Sequence, residues 1–112
     1  MRSKLFVPGS RPELFAKALA SQADAISLDL EDSVVESRKA EARLNVRDFL
    51  ASAAVLESPK TIIVRVNSLA SGHFPADIMA VIGTRLDLLN VPKIESAADV
   101  RTIAAEIGRA HV

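Results

Sequence analysis

Four short apolar segments, at residues 4–7, 25–30, 61–66 and 86–91, alternate with stretches of helical periodicity. That alternation confines the chain to an α/β fold with a parallel sheet, because each new strand is reached through a helical crossover. The strand starts lie about twenty to thirty-five residues apart, the spacing of βα units. Segment 61–66 reads Thr-Ile-Ile-Val-Arg-Val. It is almost continuously apolar, as in a parallel strand covered on both faces. Helices are expected near residues 12–21, 37–56, 74–83 and 97–107. With 112 residues, 49% of them hydrophobic, the chain can build one small domain around a core.

Chemistry gathers where the strands stop. From Ala25 to Val34, Ile26, Leu28 and Leu30 alternate with Ser27 and Asp29, and Glu31 and Asp32 follow directly. Carboxylates this close raise one another's pKa unless a cation, a backbone N–H or a metal compensates. In parallel α/β folds the C-terminal ends of strands are also where ligands sit. Asp29, Glu31 and Asp32 therefore read as one wall of a site. The alternative has Asp29 facing solvent and Asp32 capping the next helix.

The other strand ends carry cations. The first strand stops at Pro8-Gly9, a turn signal. Ser10 and Glu13 have the spacing of a capping box, and Pro12 suits a first helical turn. A strand, a tight loop and a helix start, in that order, present N–H groups to an anion. Arg11 adds a fixed positive charge there and fits either an anion contact or a surface role. Lys17, judged locally, reads as a surface cation. Arg65 interrupts the third strand near its end and cannot lose its charge, so it needs a carboxylate, a phosphate or water. It either pairs with Asp29, Glu31 or Asp32, or grips an anionic substrate bidentately, and the two are compatible. Lys93, at the end of the fourth strand, neutralises the acids, touches substrate or lies exposed. His73, alone in a polar loop, offers an acid, a base or a ligand, with plain exposure the commoner role.

Within the second helix, Ala42, Val46, Phe49, Leu50 and Ala53 form the packing face. Lys39, Arg43 and Arg47 follow i,i+4 spacing, but Glu41 and Asp48 interrupt them and no aromatics accompany them. That row reads as a solvated face. Ser96 can cap the last helix.

Composition removes several classes. Lys plus Arg and Asp plus Glu both number 14, for a formal net charge of zero. Nucleic acids and anionic membranes call for a basic excess, so neither is an expected partner. Cysteine is absent, so disulfide and thiolate chemistry are excluded. No signal-peptide run and no segment of membrane-spanning length is present, so a cytoplasmic protein is expected. No G-x-G-x-x-G follows the first strand, and there is no Walker loop.

Four ordered motifs add a resemblance. They are Leu5-Phe6-Val7-Pro8-Gly9-Ser10-Arg11-Pro12, Leu28-Asp29-Leu30-Glu31-Asp32-Ser33-Val34, Val64-Arg65-Val66-Asn67 and Val91-Pro92-Lys93-Ile94-Glu95-Ser96. Together they resemble successive signatures of the HpcH/HpaI aldolase and citrate lyase family, in its citrate lyase beta-subunit-like branch, which includes malyl-CoA lyases. The resemblance implies that the chain forms the N-terminal half, about four βα units, of a TIM (β/α)8 barrel. It implies a homo-oligomer when full length, and a Mg2+-dependent reaction at the carbon–carbon bond between an acyl-CoA enolate and a keto acid. Phe6, Arg11 and Lys17 then match positions that hold the CoA part of the substrate. Arg65 matches the catalytic arginine that grips the keto-acid carboxylate and orients it. Glu31 and Asp32 match acids beside the metal-bound waters. Citryl-CoA and malyl-CoA thioesters both fit these motifs.

A TIM barrel takes about 250 residues and eight strands. The family's direct metal ligands, a Glu and an Asp from later strands, are expected beyond Val112, and Glu95 and Asp99 do not replace them. Residues 1–112 are thus expected to be a partial barrel domain, inactive alone, with two raw sheet edges. Residues 107–112 read as a sequencing-adapter tail. The run Glu106-Ile107-Gly108-Arg109-Ala110-His111-Val112 stops the helix at Gly108, can be encoded by a common short-read adapter, and leaves His111 without function. The competing class is a complete small α/β module that binds CoA or another acidic metabolite without catalysis.

Overall fold

The computed structural model describes residues 3–110. Strands β1 (Lys4–Pro8), β2 (Ala25–Asp29), β3 (Thr61–Arg65) and β4 (Leu88–Asn90) form one parallel sheet in the order β1-β2-β3-β4. Helices α1 (Phe15–Ala20), α2 (Lys39–Leu50), α3 (Ala53–Glu57) and α4 (Phe74–Val81) occupy the connections, and α5 (Ala97–Ala110) follows β4. Parallel strands in sequential order, alternating with helices, make this the N-terminal half of a β/α barrel, as expected.

The register sorts the side chains into two faces. Val7, Leu28, Val64 and Leu89 stand side by side. With Ile26 and Ile62 they pack against Phe15, Val46, Leu50, Ile78 and Val81 of the helices. Burial of this apolar surface is the main stabilising contribution. The opposite face carries a row of Phe6, Ser27, Ile63 and Leu88, and above it a row of Pro8, Asp29, Arg65 and Asn90. All five residues of β2 are buried, Ser27 and Asp29 included. The alternation in its sequence thus marks two covered faces, not a solvent face.

Loops at the C-terminal end of the sheet are tied sideways. Gly9 N donates to Asp29 O at 2.7 Å, Leu30 N to Arg65 O at 2.9 Å, and Val66 N to Asn90 O at 3.1 Å. In each case the first amide after a strand reaches the last residue of the next one. Gly9 sits so close to β2 that a Cβ would lie 2.9 Å from Asp29 O. At the other end, Lys60 Nζ donates to Ser21 O at 2.6 Å, and Arg85 donates to Ser58 O at 2.7 Å and Lys60 O at 2.8 Å.

Several expectations are corrected. The Ser10–Glu13 capping box does not form. Glu13 is drawn to Arg11, and Pro12–Leu14 make a 3-10 turn before α1. The long helix near 37–56 is two, because Ser52 N and Oγ turn back onto Phe49 O. That break leaves Ala53 exposed and buries Val55 instead. The last helix runs through Gly108 to Ala110, since a glycine lowers helix stability without forbidding it. His111 lies outside the described residues. Ser96 caps α5 as expected, accepting from Asp99 N at 3.2 Å, while Asp99 Oδ2 accepts from Glu95 N at 2.9 Å. No helix among the described residues is long and apolar enough to cross a membrane.

Candidate functional site

The upper row of the face that carries Phe6 and Ser27 places an acid beside a guanidinium. Arg65 Nε donates to Asp29 Oδ1 at 2.9 Å and Nη2 to Oδ2 at 2.8 Å, a two-pronged ion pair. Glu31 Oε1 lies 3.5 Å from Arg65 Nε. Asp29 also accepts from Glu31 N and Ser33 N, both at 2.9 Å, and from Ser33 Oγ at 2.5 Å. Burial alone would push the Asp29 carboxyl up. The hydrogen bonds from Arg65, Ser33 and the two backbone amides outweigh it and hold the group well below the usual carboxylate range. The same hydrogen bond to Asp29 raises Arg65, against the opposing effect of its own burial. Arg65 Nη1 donates to no group among the described residues, and the side chain is 25% exposed. One edge of the guanidinium is therefore fixed, and its end remains available to a second anion.

Arg65 lines a cavity of about 380 Å3 together with Phe6, Pro8, Asp29 and Ser33. Phe6 is 54% exposed. It also belongs to a neighbouring cavity of about 260 Å3, whose walls include Leu14 and Lys17. Lys4 Nζ stands 4.9 Å from the Phe6 ring centroid, a cation–π contact. The structure thus gathers Phe6, Glu31 and Arg65 at one rim, with Lys17 next door. Arg11 lines neither cavity and pairs with Glu13 at 2.8 Å. Asp32 is exposed and forms no ion pair among the described residues. Lys93 is exposed too, at φ +60°, and does not pair with the acids.

Beneath the rim lies a polar network that the sequence reading did not assemble. Lys39 Nζ donates to Leu30 O at 3.0 Å and to Glu31 O at 2.9 Å. Asn67 Nδ2 donates to Leu30 O at 2.9 Å and to Asp77 Oδ2 at 2.7 Å. Asp77, fully buried, pairs with Arg43 at 3.0 Å. His73 lies between Arg43 and Glu36, with Nδ1 at 3.3 Å from the former and Nε2 at 2.5 Å from the latter. These contacts correct two expectations: the row Lys39, Arg43, Arg47 is solvated only at Arg47, and His73 is not simply exposed. One signal was in the sequence. Asp77 is the only charged residue in Phe74–Val81, and a lone acid in an apolar helix demands a buried cation.

Among the described residues no group of three or more His, Asp or Glu side chains is arranged to hold a metal ion. Mg2+ prefers hard oxygens and keeps several waters. Both Asp29 oxygens are occupied by protein donors, while Glu31 and Asp32 offer oxygens at the edge.

Fold and site together define a β/α-barrel segment with an acid-and-guanidinium rim at the face where such barrels place their active sites. The chain belongs to the HpcH/HpaI aldolase/citrate lyase family, whose sequence profile matches residues 2–111. It is 43% identical over 107 residues to an L-malyl-CoA/beta-methylmalyl-CoA lyase of Cereibacter sphaeroides, covering 93% of this chain and 33% of that protein. It is 41% identical over 100 residues to a citrate lyase subunit beta-like protein of Mycobacterium tuberculosis, covering 89% and 34%. The chain therefore spans about a third of the length of the curated relatives it matches. Among solved structures it is similar to the M. tuberculosis citrate lyase beta subunit complexed with oxaloacetate and magnesium. There the TM-score is 0.74 at 40% identity, over 90% of this chain and 42% of that one. The CitE protein of the same organism in complex with magnesium, acetoacetate and coenzyme A gives a TM-score of 0.73 at 40% identity, over 90% and 35%.

Proposed function

We propose that this chain supplies the N-terminal half of the wall of a Mg2+-dependent carbon–carbon lyase acting on a malyl-CoA-like or (3S)-citryl-CoA-like thioester. The Arg65–Asp29–Glu31 cluster, in one cavity with exposed Phe6, carries the reading. Arg65 takes the keto-acid carboxylate on its Nη1–Nη2 end while Asp29 fixes its Nε–Nη2 edge. The pair is assembled before substrate arrives, so little reorganisation is needed on binding. Phe6 offers an apolar face and Lys17 an ammonium to the CoA portion, with Arg11 as a second cation. Glu31 and Asp32 would hold the waters of a bound ion. When bound, the ion supplies Lewis-acid polarisation of the keto-acid carbonyl. The direct metal ligands and the remaining strands lie outside residues 1–112 on this reading, so the chain alone turns over no substrate.

A chimera tests the proposal. Residues 4–105 replace the matching part of the C. sphaeroides lyase, and Mg2+-dependent cleavage of malyl-CoA is measured. Activity is expected, with Arg65→Ala losing about 100-fold in kcat/KM through misplaced substrate. A folded chimera indifferent to Arg65→Ala would sink the assignment. The second reading, a non-catalytic module binding CoA, is favoured by the Phe6–Lys17 cavity, where apolar Leu5, Phe6, Val7 and Leu14 line one pocket with Lys17. CoA binding by the 112-residue chain, unaffected by Arg65→Ala, would support that reading instead.

A further inference from the structure

Asp77, Arg43, His73 and Glu36 form a chain of contacts that leads from the core to solvent. Side-chain exposure climbs along it, from 0% at Asp77 and 16% at Arg43 to 21% at His73 and 76% at Glu36. Arg43 Nη1 donates to Asp77 Oδ1 at 3.0 Å and stands 3.3 Å from His73 Nδ1, while His73 Nε2 stands 2.5 Å from Glu36 Oε1. A guanidinium only donates, so Nδ1 must accept, and the ring proton belongs on Nε2, where it is given to Glu36. The contacts therefore select the neutral imidazole in one tautomer. The ring also joins three elements. Glu36 belongs to the 3-10 turn Glu36–Arg38 after β2, Arg43 to α2, and His73 directly precedes α4.

A second ring proton upsets this arrangement at one point only. Nδ1–H then faces an N–H of Arg43, two donors and two positive charges with no acceptor between them. Arg43 is not free to yield, because it is the counter-ion of a fully buried carboxylate and its departure would strand that charge. The ring moves instead, and Glu36 keeps hold of Nε2–H and gains a full ion pair. Room for the movement exists. Gly72, the residue before the ring, takes a left-handed φ of +83°, and a Cβ there would meet nothing within 4 Å. Of the charged groups that face His73 among the described residues, Glu36 favours the extra proton, Arg43 opposes it, and Asp77 acts through Arg43.

We propose that His73 is a proton-operated switch: neutral, it ties the loop after β3 to α2 through Arg43, and charged, it releases α2 and holds only the loop after β2 through Glu36. The switch stands independently of the lyase reading. The test is 1H–15N NMR of the 112-residue chain carrying His111→Asn, which leaves His73 as its single imidazole, from about pH 8 to about pH 5. At the alkaline end, long-range ring correlations should show the proton on Nε2 and none on Nδ1. On acidification the backbone amides of Gly72 and of Asp77, the latter a donor to His73 O, should shift with the same midpoint as the ring. Glu36→Gln, at an exposed position, removes the anion and should lower that midpoint by about half a pH unit, the worth of one exposed ion pair. A ring protonated on Nδ1 at the alkaline end overturns the proposal. So do Gly72 and Asp77 amides that stay still while the ring charges, and a midpoint that Glu36→Gln leaves unchanged or raises.

Discussion

Both oxygens of Asp29 are occupied by donors, so its replacement strips partners from Arg65, Ser33 and the Glu31 amide at once. Asp29→Asn keeps the shape and removes the charge. It is expected to cost about 3 kcal/mol in urea unfolding, because a half-buried guanidinium loses its counter-ion. The acid limb of stability carries the same signature. The folded chain holds the Asp29 carboxyl below its unfolded value, so on acidification the unfolded chain takes up the proton first. That contribution is complete above about pH 4 and is lost as pH falls further. Urea melts between about pH 5 and pH 3 should show a shallower slope for Asp29→Asn than for the parent. Arg65 shows how far a single residue could be read from sequence. A cation ending an apolar strand had to find an acid, and it did; which edge of the guanidinium the acid would take depends on the register of Asp29 with Arg65.

Helix α2 is sided in a way that its i,i+4 spacing conceals. Each four-residue step turns the helix about 40° past a full circle. Three such positions therefore drift from the core edge to solvent, and exposure rises from 9% at Lys39 to 16% for the Arg43 side chain and 51% for that of Arg47. The stripe Ala42, Val46 and Leu50 was legible because apolar residues announce their own burial. The partners of the cations were not, since Asp77 stands 34 residues from Arg43 and only the tertiary fold joins them. Arg43→Met leaves a fully buried carboxylate without its cation and should destabilise by about 3 kcal/mol. Arg47→Ala, whose side chain pairs among the described residues only with exposed Asp48, should stay within about 0.5 kcal/mol. Thermal melts of the two variants separate residues that the sequence pattern treats alike.

Among the described residues, packing is tightest at β2 and weakens from there toward the C-terminus. β2 is buried throughout, β4 has three residues of which none is buried, and α5 buries none. Amide hydrogen exchange should accordingly be slowest in β2 and β3 and fastest in β4 and α5, and the reverse order would contradict this layering. The order of elements was visible in the sequence because alternation of strand and helix survives small errors in their ends. The 3-10 turns and the break at Ser52 were not, because each depends on one side chain choosing a backbone partner. The sideways ties at the loop starts join Gly9 to Asp29, Leu30 to Arg65 and Val66 to Asn90. Each βα unit leaves one amide to be caught by the unit after it. Anyone exchanging a unit with a cousin barrel must therefore cut after the catch and not at the strand's last residue, or the transplanted loop arrives with its anchor left behind.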